Sequence, residues 1–261
     1  TFRIIDFPDL TCDGSFTCGA ATAAVALKAG LSPLPSLLLA GAAGGIAGFI
    51  TGILYTRFRV TNLLAGILVA FMLYSINLKI MGGVPNITLM NEDTLFSGTS
   101  PLLILIFLTV SIWGLISYLL ATDFGLALRS IGQNKHLAEV MGVRVANLTV
   151  IGLALSNALI GLGGGLYCQH QNFSDVSLGT GTVIIGLAAV MIGEKLISFR
   201  SLWFGVLACF LGSIVYRFLI ALALHSEWLG LETSDLNLIT GLAILIIMGL
   251  PKIKGATTCS A

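Results

Sequence analysis

Charge is what this sequence has least of. Lys and Arg together number 13 and Asp and Glu 12 among 261 residues, so 10% of the chain is charged, where soluble domains carry about 25%. The two signs nearly cancel, at a formal net charge of +1, so nothing points to nucleic acid or to an acidic partner. Residues 1–13 lack the basic stretch followed by an apolar run that marks a secretory leader. Cys-x-x-Cys is absent, and the five cysteines (Cys12, Cys18, Cys168, Cys209 and Cys259) are odd in number. They read as small apolar core residues, and neither a metal nor a disulfide is assigned. There is no His-Glu-x-x-His, no Gly-x-Ser-Gly and no Gly-x-Gly-Asp, and His136, His170 and His225 stand isolated. An intramembrane enzyme would need such a nucleophile, base or ligand set, so the chain is not expected to be an enzyme. A Walker A loop is missing as well: Gly161-Leu-Gly-Gly-Gly165 has no following Gly-Lys-Ser/Thr and lies in an apolar run.

What is present is apolar surface. It makes up 56% of the residues, and the mean hydropathy is +1.00. A soluble core could not hide this much, but a lipid bilayer can. A crossing helix needs about 20 mostly apolar residues to span about 30 Å of hydrocarbon. Apolar stretches run at 14–27, 33–56, 60–78, 101–121, 148–167, 181–193, 201–216 (continuing past Arg217 to 224) and 236–250. The expected fold is therefore all-α, a polytopic transmembrane helical bundle of about eight membrane segments in a single domain over 1–261. The stretches 181–193 and 236–250 are short and suit half-helices or re-entrant pieces, which need other protein around them.

The connecting loops sort by charge. Arg57 and Arg59 share one loop, Arg129, Lys135 and Arg144 another, then Lys195 and Arg200, and finally Lys252 and Lys254. The loops between hold Glu92 and Asp93, then Asp175, then Glu227, Glu232 and Asp235, with no Lys or Arg. Such alternation is the positive-inside pattern, and it places the basic loops and the C-terminus in the cytoplasm. Lys28 and Lys79 fall near outer ends, where a long side chain can snorkel to the headgroups.

Lipid gives helices no hydrophobic reason to associate, so close backbone approach has to do it. Of the 31 glycines, Gly44, Gly48 and Gly52 form two overlapping Gly-x-x-x-Gly steps on one helix face, and Gly161 and Gly165 form a third. Tight helix packing is the bland reading of these; room for a substrate path is the functional one. Asn62, Asn77 and Asn157 lie in apolar stretches and suit hydrogen bonds between helices. Asp6, Asp9 and Asp13 cluster ahead of the first small-residue stretch, where Pro8 keeps a regular helix from running through them. Arg217, interior to its apolar stretch, could pair with one of these aspartates or snorkel outward.

The longest basic loop, 122–147, is the most informative piece. Asn134 is a good N-cap and Gly142 a good residue to end on, so 135–141 reads as a short helix with Leu137, Val140 and Met141 on one face. Two turns would not hold alone in water, so this helix leans either on its own bundle or on a partner. The pattern Arg129-x-x-Gly132-x-Asn134-x-x-x-Ala138-x-x-x-Gly142 resembles the cytoplasmic coupling loop of ABC-importer permeases of the branched-chain amino-acid type. Asp6 to Gly14, Leu73 to Asn86 and Gly212 to Arg217 are similar to the tryptophan/tyrosine transport permease subgroup of that family, and the likeness covers essentially the whole chain. Cys12 stands where an aliphatic residue is usual, and Asn237 where a Lys is usual.

The resemblance implies a role and partners. Arg129, Gly132, Asn134, Leu137, Ala138, Met141 and Gly142 would couple the chain to a cytoplasmic ATP-binding-cassette ATPase, which binds the ATP and Mg; this chain would hold no cofactor. The stretch at Asp6, Asp9 and Asp13 would break a helix beside the substrate route, with an acidic cytoplasmic cap as the alternative. The outer loops 82–100, 168–180 and 225–235 would receive an extracytoplasmic substrate-binding protein. Two copies would form the pore in the plasma membrane of a bacterium, the inner membrane if Gram-negative. An additional hydrophobic segment precedes the Phe-Pro-Asp-Leu stretch in the family, so one N-terminal segment is expected to be missing here. The function implied is import of a small solute, an amino acid or similar. The alternative is a secondary transporter or channel working without ATP, which would leave residues 122–144 without a task.

Overall fold

The computed structural model describes residues 1–90, 92–98, 100–196, 202–225 and 241. Within them the chain is built from helices α1 (Thr11–Lys28), α2 (Pro33–Thr56), α3 (Asn62–Ile80), α4 (Pro101–Ala121), α5 (Asp123–Gln133), α6 (Lys135–Val140), α7 (Val145–Gln171), α8 (Thr182–Leu196) and α9 (Leu202–His225). Two three-residue strands, β1 (Asn86–Thr88) and β2 (Phe173–Asp175), pair antiparallel with Ile87 opposite Ser174. The chain divides into two compact units, Thr1–Val183 and Ile184–Ala261.

Among the described residues five helices are long and apolar enough to cross a membrane: α2, α3, α4, α7 and, over Trp203–Leu222, α9. The expected count of about eight is therefore not reached among the described residues. The stretch 14–27 is helical as α1, but its Thr, Ser, Gly and Asp residues keep it outside this group, and most of it is buried. The stretch 181–193 is helical as α8, whose 15 residues span only about 22 Å. The stretch 236–250 lies outside the described residues.

In the first unit α1, α2 and α7 pack at backbone distance, because glycine and alanine line their shared faces. A Cβ at Gly44 would strike the carbonyl oxygen of Asn157, one at Gly48 that of Leu153, and one at Gly161 the carbonyl of Ala40, 2.5 Å away. One at Gly52 would lie 2.8 Å from the Val150 Cα, and one at Gly165 2.9 Å from the Ala40 Cβ. Gly19 of α1 lies against Gly161 in the same way. Ala20, Ala21, Ala24, Leu27 and Cys168 then close a core beneath the strand pair, with Ile87 and Leu89. In the second unit Gly193 meets the Ala208 backbone and Gly212 the Ala189 carbonyl, around a small core of Ala188, Ile192 and Tyr216.

Pro33 and Pro101 open α2 and α4 at the first helical position, where the missing N–H is not needed. Asn172, with φ of 59°, turns the chain out of α7 and into β2. The side of the bundle expected to face outward is thereby tied together. The Leu89 N–H donates to Asn172 O (2.8 Å) and the Val176 N–H to Pro85 O (2.9 Å). The buried Gln169 accepts from the Leu95 N–H (3.2 Å) and donates to Pro33 O and Ser36 Oγ.

Candidate functional site

Two features stand out: a buried polar node where the chain breaks before α1, and the loop carrying α5 and α6. One apolar cluster joins them.

The break comes at residues 6–10. Asp6 is exposed and takes a left-handed φ of 55°; Pro8 follows, and α1 starts at Thr11. Asp9 is only 5% exposed. Its Oδ1 accepts the Thr11 N–H (2.9 Å), one of the donors a helix start leaves over. Its Oδ2 accepts from Asn157 Nδ2 (2.6 Å), which also donates to Leu153 O (3.0 Å). Thr11 Oγ1 and Thr51 Oγ1 lie 2.8 Å apart. Asn157 sits twelve residues into α7 and Thr51 five residues before the end of α2, so α1 begins inside the bundle.

Asp13, in the first turn of α1, holds a second helix start. Its Oδ1 accepts from Thr182 Oγ1 (2.7 Å) and the Val183 N–H (2.9 Å), and its Oδ2 from the Gly181 N–H (3.1 Å). Thr17 Oγ1 adds a hydrogen bond from the Gly179 N–H (3.0 Å), and a Cβ at Gly179 would collide with the Asp13 carbonyl. Residues 179–183 are thus strapped onto α1, with a carboxylate at the positive end of α8. Asn77 donates from α3 to Gly14 O (3.3 Å). Asn62 instead stays local, its Oδ1 accepting the N–H of the next residue (3.0 Å), because it stands at the start of α3 and not within it. Asp9 and Asp13 therefore take different partners, and Asp6 stays exposed. Arg217 lies on an exposed face of α9, in the second unit. Among the described residues no group of three or more His, Cys, Asp or Glu gathers as a metal site would require.

The loop is more ordered than its sequence suggests. Thr122 turns the chain at ψ of 167° and α5 follows, burying Leu128 and Ile131. Gly132 lies so close to the Ile4 carbonyl that a Cβ would overlap it. Arg129 spends its Nε on Gly125 O within its own helix (3.3 Å). Asn134 is extended, and its Oδ1 accepts the Leu137 N–H (3.0 Å), capping α6. Gly142, with φ of 85°, bends the chain so that the Val143 N–H reaches Ala138 O (3.0 Å). Only Ala138 of α6 is buried; Leu137, Val140 and Met141 are 56%, 73% and 76% exposed. Among the described residues this apolar face is left uncovered. Lys135 anchors the start of α6 by donating to the Tyr55 Oη (2.9 Å).

One cluster ties the loop to the node: Leu128, Ile131, Ala138, Val145 and Leu153 pack with Ile5 and Phe7. Asp9 follows Phe7 by two residues. The sequence reading missed α5 and missed this link. The Leu128 and Ile131 spacing carries the helix signal, but Gly125 and Gly132 weaken it.

A family described as branched-chain amino acid transport system, permease component, matches residues 1–249. A tyrosine transport system permease protein of Clostridioides difficile (strain R20291) is 39% identical over 249 residues, 95% of this chain and 83% of that protein. An uncharacterized protein of Rickettsia prowazekii (strain Madrid E) is 35% identical over 260 residues, 97% of this chain and 90% of its own length. An autoinducer 2 import system permease protein of Yersinia pestis (strain Pestoides F) is 26% identical over 251 residues, 92% of this chain and 67% of that protein. No solved structure matches the chain.

Proposed function

The chain belongs to the family of branched-chain amino acid transport system permease components, and from that premise we propose that it is the membrane-spanning subunit of a binding-protein-dependent ABC importer. The relative named for tyrosine transport makes an amino acid the substrate class to test first, and an aromatic one before others. Two copies form the pore in a bacterial plasma membrane. Separate ATPase subunits bind ATP and Mg on the cytoplasmic side, and a soluble binding protein delivers substrate to the face that carries β1 and β2. This chain supplies the path and the coupling and performs no catalysis.

The observation that carries the reading is α6. A two-turn helix that presents Leu137, Val140 and Met141 to its surroundings while seating on Ala138 is built to meet a second protein. Its seat explains how movement would pass inward. A push on α6 acts through Ala138 and Ile131 on Ile5 and Phe7, and Gly132 bears on the Ile4 backbone. The segment ending in Asp9 and Asp13 then shifts, and with it the starts of α1 and α8. Helix starts that meet inside a bundle are a common device for alternating access. Leu137, Val140, Met141, Ala138 and Gly142 are assigned to coupling, Gly132 to transmission, Arg129 and Asn134 to the shape of the loop, and Asp9 and Asp13 to the transport path.

The test is a detergent pull-down of the tagged full-length protein from its native cell, with partners identified by mass spectrometry. A stoichiometric ATPase subunit is expected, and it should be lost from Leu137→Asp/Met141→Asp while the variant keeps the wild-type melting temperature. A preparation without ATPase that still moves solute in vesicles without ATP would overturn the importer reading in favour of a secondary transporter.

A further inference from the structure

A cleft of about 380 Å³ opens where α2 ends, α3 begins, and α6 meets the first turn of α7. Its polar lining includes Tyr55, Thr56, Arg59, Thr61, Lys135 and Glu139. The walls are fixed. The Tyr55 ring stands edge-on to Phe7 (centroids 5.1 Å apart, 84° between planes), and Lys135 Nζ sits 5.0 Å from the Tyr55 centroid while donating to its hydroxyl. Arg59 is exposed and takes a left-handed backbone conformation (φ of 53°) in the middle of the α2–α3 connection. Two cations and one carboxylate leave the lining with a net positive charge, and the Thr56 and Thr61 hydroxyls add neutral polar groups.

The flank beside this cleft is apolar: Phe58, Leu63 and Leu64 are all exposed on the same connection and on the first turn of α3. A positive recess next to an apolar surface, at the membrane end that the charge pattern assigns to the cytoplasm, matches an amphiphile with an anionic head. We propose that this cleft binds the phosphate headgroup of an anionic phospholipid of the inner leaflet. Arg59 and Lys135 face the phosphate, and the acyl chains lie along Phe58, Leu63 and Leu64. Because Lys135 and Glu139 belong to α6 while Tyr55 and Thr56 belong to α2, the bound lipid bridges the exposed short helix to the membrane bundle and steadies its seat. Glu139 opposes the ligand and sets an upper limit on affinity.

Native mass spectrometry on the full-length chain, released from nanodiscs of equal phosphatidylglycerol and phosphatidylcholine, reads this without transport, so its outcome is separate from that of the importer reading. One phosphatidylglycerol should be retained per chain in preference to phosphatidylcholine. Arg59→Gln/Lys135→Gln should lower that retention by about tenfold or more. Glu139→Gln, a surface change that leaves Tyr55 and Lys135 in contact, should raise it. Equal retention of the two lipids, or retention unchanged in the double variant and in Glu139→Gln, would overturn the proposal. So would displacement of the lipid by millimolar inorganic phosphate with no dependence on acyl chains, which would make the cleft a site for free phosphate. Loss of a copurifying ATPase in the double variant, with lipid retention unchanged, would make it a protein-docking surface and equally overturn the lipid assignment.

Discussion

Helices α1 and α4 lie in the same unit and obey opposite rules. α4 has the highest hydropathy of the five spanning helices, 2.4, yet only 6% of its span is buried, and Leu102, Leu103, Ile106, Phe107 and Val110 all point outward. α1, with Thr, Ser, Gly and Asp in its first turns, is too polar to count among those spans and is buried along most of its length. In a soluble protein the apolar helix would be inside. Here the bulky side chains are left exposed, while small ones let backbones touch and polar ones find partners. High hydropathy alone therefore does not mark a helix as part of the packed core.

That contrast can be broken most severely at the glycine face. Gly161→Leu would push a side chain into the Ala40 carbonyl and the Gly44 backbone. It is expected to cost more than about 3 kcal/mol and to leave no monodisperse peak on size-exclusion chromatography; a stable, wild-type-like peak would refute the packing argument. Asp13→Ala comes next. It strips the Gly181, Thr182 and Val183 donors of one shared acceptor, at roughly 2–3 kcal/mol. Pulsed proteolysis should then cleave within residues 176–183 faster than in wild type, with Asp13→Asn intermediate. If both variants resist cleavage equally, the strap is not what holds this segment. Asn157→Ala should lower the melting temperature by less than Asp13→Ala, since Asp9 keeps the Thr11 N–H. The smallest effect belongs to α4. Phe107→Leu and Ile106→Val should shift stability by under about 0.5 kcal/mol, and a larger loss would mean that this face is covered by protein.

Local signals were legible in the sequence. The five long apolar helices, the Asn134 cap and the left-handed turn at Gly142 each depend on neighbours a few residues away. What was not legible is long-range. Nothing near Asp13 announces a partner 168 to 170 residues later, and nothing near Asn157 announces Asp9, 148 residues earlier. The β1–β2 pair is three residues on each side, too short for any alternation to register. Asn62 differs for a local reason: it is a polar residue at the edge of an apolar run, where it begins its helix rather than standing inside it. The chemistry of Asp9 is written in its residue type, but its depth is set by where α1 starts, at Thr11.

The glycine contacts also constrain how this protein can change over evolutionary time. At Gly41 an added methyl would meet the Leu162 side chain, 2.9 Å away, and a smaller residue at 162 could make room, so the two positions can drift together. At Gly44, Gly48 and Gly161 the obstacle is a main-chain carbonyl, which every amino acid brings with it. No second substitution at the facing residue can shrink it. Lineages can trade residues freely along α4 and in matched pairs at 41 and 162, but at these three glycines a first step has no partner to rescue it.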